Sequence, residues 1–131
     1  MATSRYTHFP NGVRSYPRDD RTVIETGDNT MTINTDAGKT FVYKATATIT
    51  LPAIAIGNTW TIVNDNPDGT LLTISPNASD GIMWLGSGTD DKDLINTAAT
   101  AKRGDYVTLA SLDQTVAWQV IDIQGVWAKQ G

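Results

Sequence analysis

The residues of this chain with the plainest capacity for chemistry are seven aspartates in its second half: Asp80, Asp90, Asp91, Asp93, Asp105, Asp113 and Asp122. Hydrolysis by paired carboxylates needs one proton donor and one base or nucleophile at a set separation. Nothing in the spacing of these aspartates sets such a pair. Most stand beside Gly, Ser, Thr or Asn, where a side chain that hydrogen-bonds its own backbone accounts for them as turn formers. His8 is the sole imidazole, and it lies in a Pro- and Gly-containing terminal segment with no Ser or Cys beside it to complete a triad. The chain is therefore expected not to be an enzyme and to carry no cofactor.

Three shorter patterns have a chemical reading and a plainer one. Asn64-Asp65-Asn66-Pro67-Asp68-Gly69 places oxygen donors at alternate positions like the first half of a calcium loop, yet Ser75 stands where the closing bidentate acid belongs. Pro67 also suits a turn, so no metal site is expected. Asp90, Asp91 and Asp93 concentrate negative charge in what reads as a solvated loop. Arg103-Gly104-Asp105 is an adhesion tripeptide when displayed at a loop tip, but three residues recur easily by chance and a Gly turn leading into a strand explains it without a receptor. There is no Cys, which excludes disulfides and thiolate metal sites. Among the four Trp residues, Trp60 and Trp118 sit inside strand-like alternation and are expected in the core. Trp84 and Trp127 are less tied to such patterns and are the candidates for a sugar platform or a subunit contact.

The elements that must position these groups read as strands. In Ala45-Thr-Ala-Thr-Ile-Thr-Leu51 the apolar residues share one face and the threonines the other, until Pro52 ends the ladder. TVIET (22–26) and MTINT (31–35) look like two strands around a turn at Asp28-Asn29, and NTWTIVN (58–64) and LLTIS (71–75) like a hairpin closed by NDNPDGT. Phe41 and Tyr43 share a strand face, GDYVTLASL (104–112) is a further strand, and the segment after Thr115 holds one or two more, with Gly125 at a bulge or bend. DLINTAATAKRG (93–104) fits a short helix or an extended path. About eight to ten strands without helical periodicity predict an all-β domain, an antiparallel sandwich or barrel-like, jelly-roll-like body over residues 23–131.

The formal net charge is −4 over 131 residues, and it is unevenly spread. Residues 1–21 carry four arginines against Asp19 and Asp20, a net of +2, so the remainder carries −6. An acidic body argues against nucleic acid or an anionic membrane as main partner. No apolar run approaches the about 18 residues of a membrane span, and the first residues lack a signal-peptide core. Residues 1–22 are expected to form an extended arm for docking or subunit swapping. Tyr6, Phe9 and Tyr16 are its apolar anchors, and Arg5, Arg14 and Arg18 seek an acidic partner.

The blocks TITLPAI, GNTWTIVNDN, TLLTISPN, GDYVTLAS, WQVI and GVWAKQG, with RYTHFPNGVRS ahead of them, resemble small β-rich virion proteins of tailed bacteriophages. That family includes head decoration proteins, head fibres and terminal domains of tail fibres. The resemblance implies a homo-oligomer, usually a trimer, made in the host cytoplasm and mounted on the outer surface of the capsid. The major capsid protein is then its partner, and bridging neighbouring shell subunits its task. The alternative within the same family is a carbohydrate- or receptor-binding tip of a fibre. The acidic partner of the arm is then either the shell or the acidic β domain of a neighbouring subunit.

Overall fold

A computed structural model describes residues 21–112 and 117–130 of the chain. The described residues form eleven strands and one helical turn. In chain order these are β1 (Thr22–Glu25), β2 (Asn29–Thr30), α1 (Ile33–Asp36), β3 (Thr40–Tyr43), β4 (Ala47–Thr50), β5 (Thr59–Asn64), β6 (Leu72–Ser75), β7 (Gly81–Met83), β8 (Leu94–Asn96), β9 (Asp105–Ala110), β10 (Ala117–Gln124) and β11 (Trp127–Lys129). They build a six-stranded sheet in the order β1-β3-β5-β9-β10-β7 and a five-stranded sheet in the order β11-β8-β6-β4-β2. The all-β expectation holds, and both sheets are mixed.

The pairing departs from the expected antiparallel arrangement. Strands adjacent in sequence enter opposite sheets, so β1, β3 and β5 run parallel in one and β2, β4 and β6 parallel in the other. Residues 22–75 therefore wind as three coils, β1 with β2, β3 with β4 and β5 with β6. Neither TVIET with MTINT nor NTWTIVN with LLTIS is a hairpin. Gly27 and Asp28 mark a corner between sheets, because the chain there turns into the second layer and not back along the first. The antiparallel expectation holds later, for β5 with β9, β9 with β10, β6 with β8 and β8 with β11. β7 rejoins the first sheet parallel to β10.

The core lies between the sheets. Phe41, Ile62 and Val107 stand in register across three strands and are at most 1% exposed, while Ile49, Ile74 and Leu94 answer them from the other layer at 0%. Ala47, Ile49 and Leu51 are buried and Thr48 exposed, as the alternation predicts. Trp60 and Trp118 stack with ring centroids 5.0 Å apart and planes 30° from parallel. Such a pair adds about 1 kcal/mol beyond its buried area.

Two segments resolve by local chemistry. In MTINT, Met31 is buried and the chain then makes one helical turn, with the Asp36 carboxylate accepting the Thr32 amide at 2.7 Å. A short polar side chain that satisfies a nearby amide favours a turn over a ladder. DLINTAATAKRG is extended over Leu94–Asn96 and then turns, the Thr97 carbonyl accepting from the Thr100 and Ala101 amides.

Candidate interaction surface

The carboxylates singled out by residue type are occupied separately. Asp80 is buried and accepts the Ile54 amide at 2.9 Å. Asp105 is 3% exposed, and its Oδ2 accepts from Asn96 Nδ2 at 3.0 Å and from the Lys102 amide at 2.9 Å. The Arg103-Gly104-Asp105 tripeptide thus holds its acid inside the fold, and Arg103 turns to Asp65 at 2.9 Å. Asp122 accepts the Tyr106 hydroxyl at 3.2 Å, and the Asp122 charge, then desolvation and this hydrogen bond, push the phenol's pKa up. Asp90 and Asp91 are exposed, Asp93 is half-buried, and Asp113 lies outside the described residues.

The NDNPDG segment faces two ways. Asp65 pairs with Lys44 and Arg103 on the surface, and these two partners hold its carboxyl below the usual range. Asp68 is held low chiefly by the Arg103 amide and then by Lys102. Asn64 and Asn66 point inward. Asn66 Nδ2 donates to Asn64 Oδ1 at 2.8 Å, Asn64 Nδ2 to Asn96 Oδ1 at 2.6 Å, and Asn96 Nδ2 to Asp105. This relay spans both sheets at one end of the core, satisfying groups that burial would otherwise penalise. Among the described residues no group of three or more His, Cys, Asp or Glu side chains is placed to share a metal ion.

The two flagged tryptophans separate. Trp127 opens β11 and is 5% exposed, its Nε1 donating to Gln124 O at 2.9 Å, so neither ring face offers a sugar platform. Burial of the ring against the core decides this, and Gly125, at φ 98°, supplies the bend that turns it inward. Trp84 is half-buried at the foot of a tight hairpin. Arg5, Tyr6, Phe9, Arg14, Tyr16 and Arg18 lie outside the described residues.

A surface that residue-by-residue reading missed is the outward face of the six-stranded sheet. Ile24, Val42, Val63, Tyr106 and Gln124 stand side by side across β1, β3, β5, β9 and β10. Thr22, Thr40, Thr61, Thr108 and Asp122 form the neighbouring row. Of these residues only Asp122 is charged, and it sits on the last strand of the row. Four strand spacings make the strip about 19 Å wide. Ile24, on the β1 edge of the strip, is 56% exposed, and Ile121, at the register shift in β10 four strands away, is 52% exposed. Thr61 and Thr108 join hydroxyls at 2.8 Å within the threonine row, which ties β5 to β9 on this face without presenting charge. The signal was present as a repeat: Thr22-Val-Ile24, Thr40-Phe-Val42 and Thr61-Ile-Val63 share the pattern of Thr, inward apolar residue, outward β-branched residue.

A nearly uncharged sheet face suits contact with another protein surface, since of the two rows only Asp122 would have to be stripped of water as an ion. Comparison of the sequence with protein-family models and with curated proteins returns no match.

Proposed function

We propose that this chain is a capsid decoration protein of a tailed bacteriophage, binding the outer capsid surface as an oligomer and stabilising the head. The observation that carries the reading is the nearly uncharged strip of Ile24, Val42, Val63 and Tyr106 with its threonine row, which is the surface laid against the shell. A single strip of this size binds weakly, and an oligomer presenting several copies to a repeating lattice converts weak contacts into lasting attachment. Residues 1–22 then serve as the docking or swapping arm. The resemblance of the sequence blocks to phage virion proteins supports the same assignment.

The test uses expanded shells that lack any decoration protein. Wild-type protein is expected to co-sediment with them, and Val63→Glu, which buries a charge at the contact, to bind at least about tenfold more weakly while keeping its circular dichroism and its mass in solution. Undiminished binding by Val63→Glu, or absence of wild-type binding, overturns the assignment. The second reading, a carbohydrate- or receptor-binding tip, retains Trp84 as its half-open ring. A glycan array in which Trp84→Ala abolishes a wild-type signal would favour it.

A further inference from the structure

β1 is the outermost strand of the six-stranded sheet, and among the described residues no strand pairs with its other side. The Lys44 amide donates to Glu25 O at 2.8 Å, so in this parallel ladder the amides and carbonyls of Val23 and Glu25 face β3. Those of Thr22 and Ile24 face away from the sheet. The strand carries none of the proline, lysine or bulge that ordinarily guards an edge. At the opposite edge the chain answers its own strand: around β7 the Ile82 carbonyl accepts from Lys129 Nζ and the Asp80 carbonyl from the Asp91 amide. Side chains repeat the contrast. Val23 packs on the core yet is only half-buried, whereas Phe41 beside it on β3 is 1% exposed, and Ile24 stands open on the outer face.

The charges beside this edge specify what fits it. Arg21 stands immediately before the strand and Glu25 ends it, and among the described residues neither joins an ion pair. A strand with a cation at its start and an anion at its end is complementary to itself run antiparallel. Side chains choose between the registers that the outward backbone groups allow. Centring the pair on Ile24 sets Val23 of each copy against Glu25 of the other, which strips water from a carboxylate to place it on an apolar side chain. Centring it on Val23 sets Val23 against Val23, Thr22 against Ile24 and Arg21 against Glu25. Each Thr22 and Ile24 pair then exchanges both of its backbone hydrogen bonds, and the two valines close the core at this end. The contact is isologous, with its two-fold axis perpendicular to the sheet, so the two six-stranded sheets become one and both outer faces lie on the same side.

We propose that two copies of this chain join β1 to β1 in antiparallel register about Val23, with Arg21 of each paired to Glu25 of the other. The contact depends on no shell, and it lays the outer strips of two copies side by side. The chain has no Cys, so introduced cysteines report the register. Val23 and its counterpart form a non-hydrogen-bonded pair with Cα atoms about 4.5 Å apart, within disulfide range, whereas the two Ile24 lie diagonally about 7–8 Å apart, beyond it. Under mild oxidation full-length Val23→Cys is expected to form a covalent dimer at least about tenfold faster than Ile24→Cys. In sedimentation equilibrium from about 10 μM to 1 mM, the range of small transient contacts, wild type is expected to dimerise. Arg21→Glu and Glu25→Arg should each weaken dimerisation at least about threefold by setting like charges opposite, and the two together should restore it. A wild type that stays monomeric across this range overturns the proposal, as do equal cross-linking of the two cysteine variants or a double charge variant no better than the singles. A protein that dimerises only after deletion of residues 2–18 overturns it too, because the chain then covers its own edge. With no capsid in the readout, failure of shell binding and failure of this contact are separate results.

Discussion

Removing the Asp105 carboxylate should uncover how the end of the core is held. Asp105 receives the last donor of the Asn66, Asn64, Asn96 relay and the Lys102 amide, and it fixes the turn from which β9 carries Tyr106 and Thr108 to the outer strip. Asp105→Ala deletes two hydrogen bonds to a charged group, each contributing about 1.5–3 kcal/mol. Asn96 Nδ2 keeps Val126 O at 3.1 Å, so one of the two donors is partly rescued. The expected loss is about 3 kcal/mol. Gly125 packs on the same carboxylate: a Cβ there would lie 2.5 Å from Asp105 Oδ2, at a backbone φ of 98°. Gly125→Ala should therefore cost about 3 kcal/mol, part from the clash and part from the backbone. The clash disappears when Asp105 is already Ala, so the double variant should be more stable than the sum of the singles implies, by at least about 1 kcal/mol. Urea unfolding of the four proteins, followed by tryptophan fluorescence, measures all the terms. Additivity within about 0.5 kcal/mol, or a cost below about 1 kcal/mol for Asp105→Ala, would refute the reasoning.

Burial, then the nearby Glu25 charge, push the Tyr43 phenol well above its ordinary value of 10.0, although its hydrogen bond to Asn29 Oδ1 is formed in the fold. A raised folded pKa means that this contribution is complete below about pH 10 and is lost as pH rises toward the folded value. Tyr43→Phe should cost about 1 kcal/mol at neutral pH, and the gap to wild type should narrow above about pH 10; urea unfolding across that range checks it, and a constant gap would count against it. Neither Trp60 Nε1 nor Trp118 Nε1 has a hydrogen-bond partner among the described residues, so Trp60→Phe removes an unsatisfied donor along with some buried area. Its cost should stay within about 1.5 kcal/mol, below the 3–5 typical of a large core truncation, and the near-ultraviolet signal of the stacked pair should collapse. A loss above about 3 kcal/mol would mean that the indole nitrogen is satisfied after all.

The amino-acid sequence by itself determined which side of each strand is buried. Ala47, Ile49, Leu51, Trp60 and Trp118 are inside because apolar side chains at a period of two can all leave water only on one face. It also determined that most of the charge sits at corners and loops, with Glu25, Asp105, Asp122 and Lys129 the charged residues inside described strands. What it left open was the partner of each strand. An alternating strand looks the same whether it pairs with its neighbour in sequence or with the strand one coil later, and the coils differ in length, with Thr22 facing Thr40 and Thr40 facing Thr61. Unequal loops hide the repeat from inspection. Only closure of two layers around one core sends β1 and β2 into different sheets, and that choice aligns Ile24, Val42, Val63 and Tyr106 into a surface. The same closure draws Asp105 inward to answer Asn96 and leaves Leu85 outside. Side-chain type sets what a residue can do, whereas the packing of distant segments sets whether water, another side chain or a partner meets it.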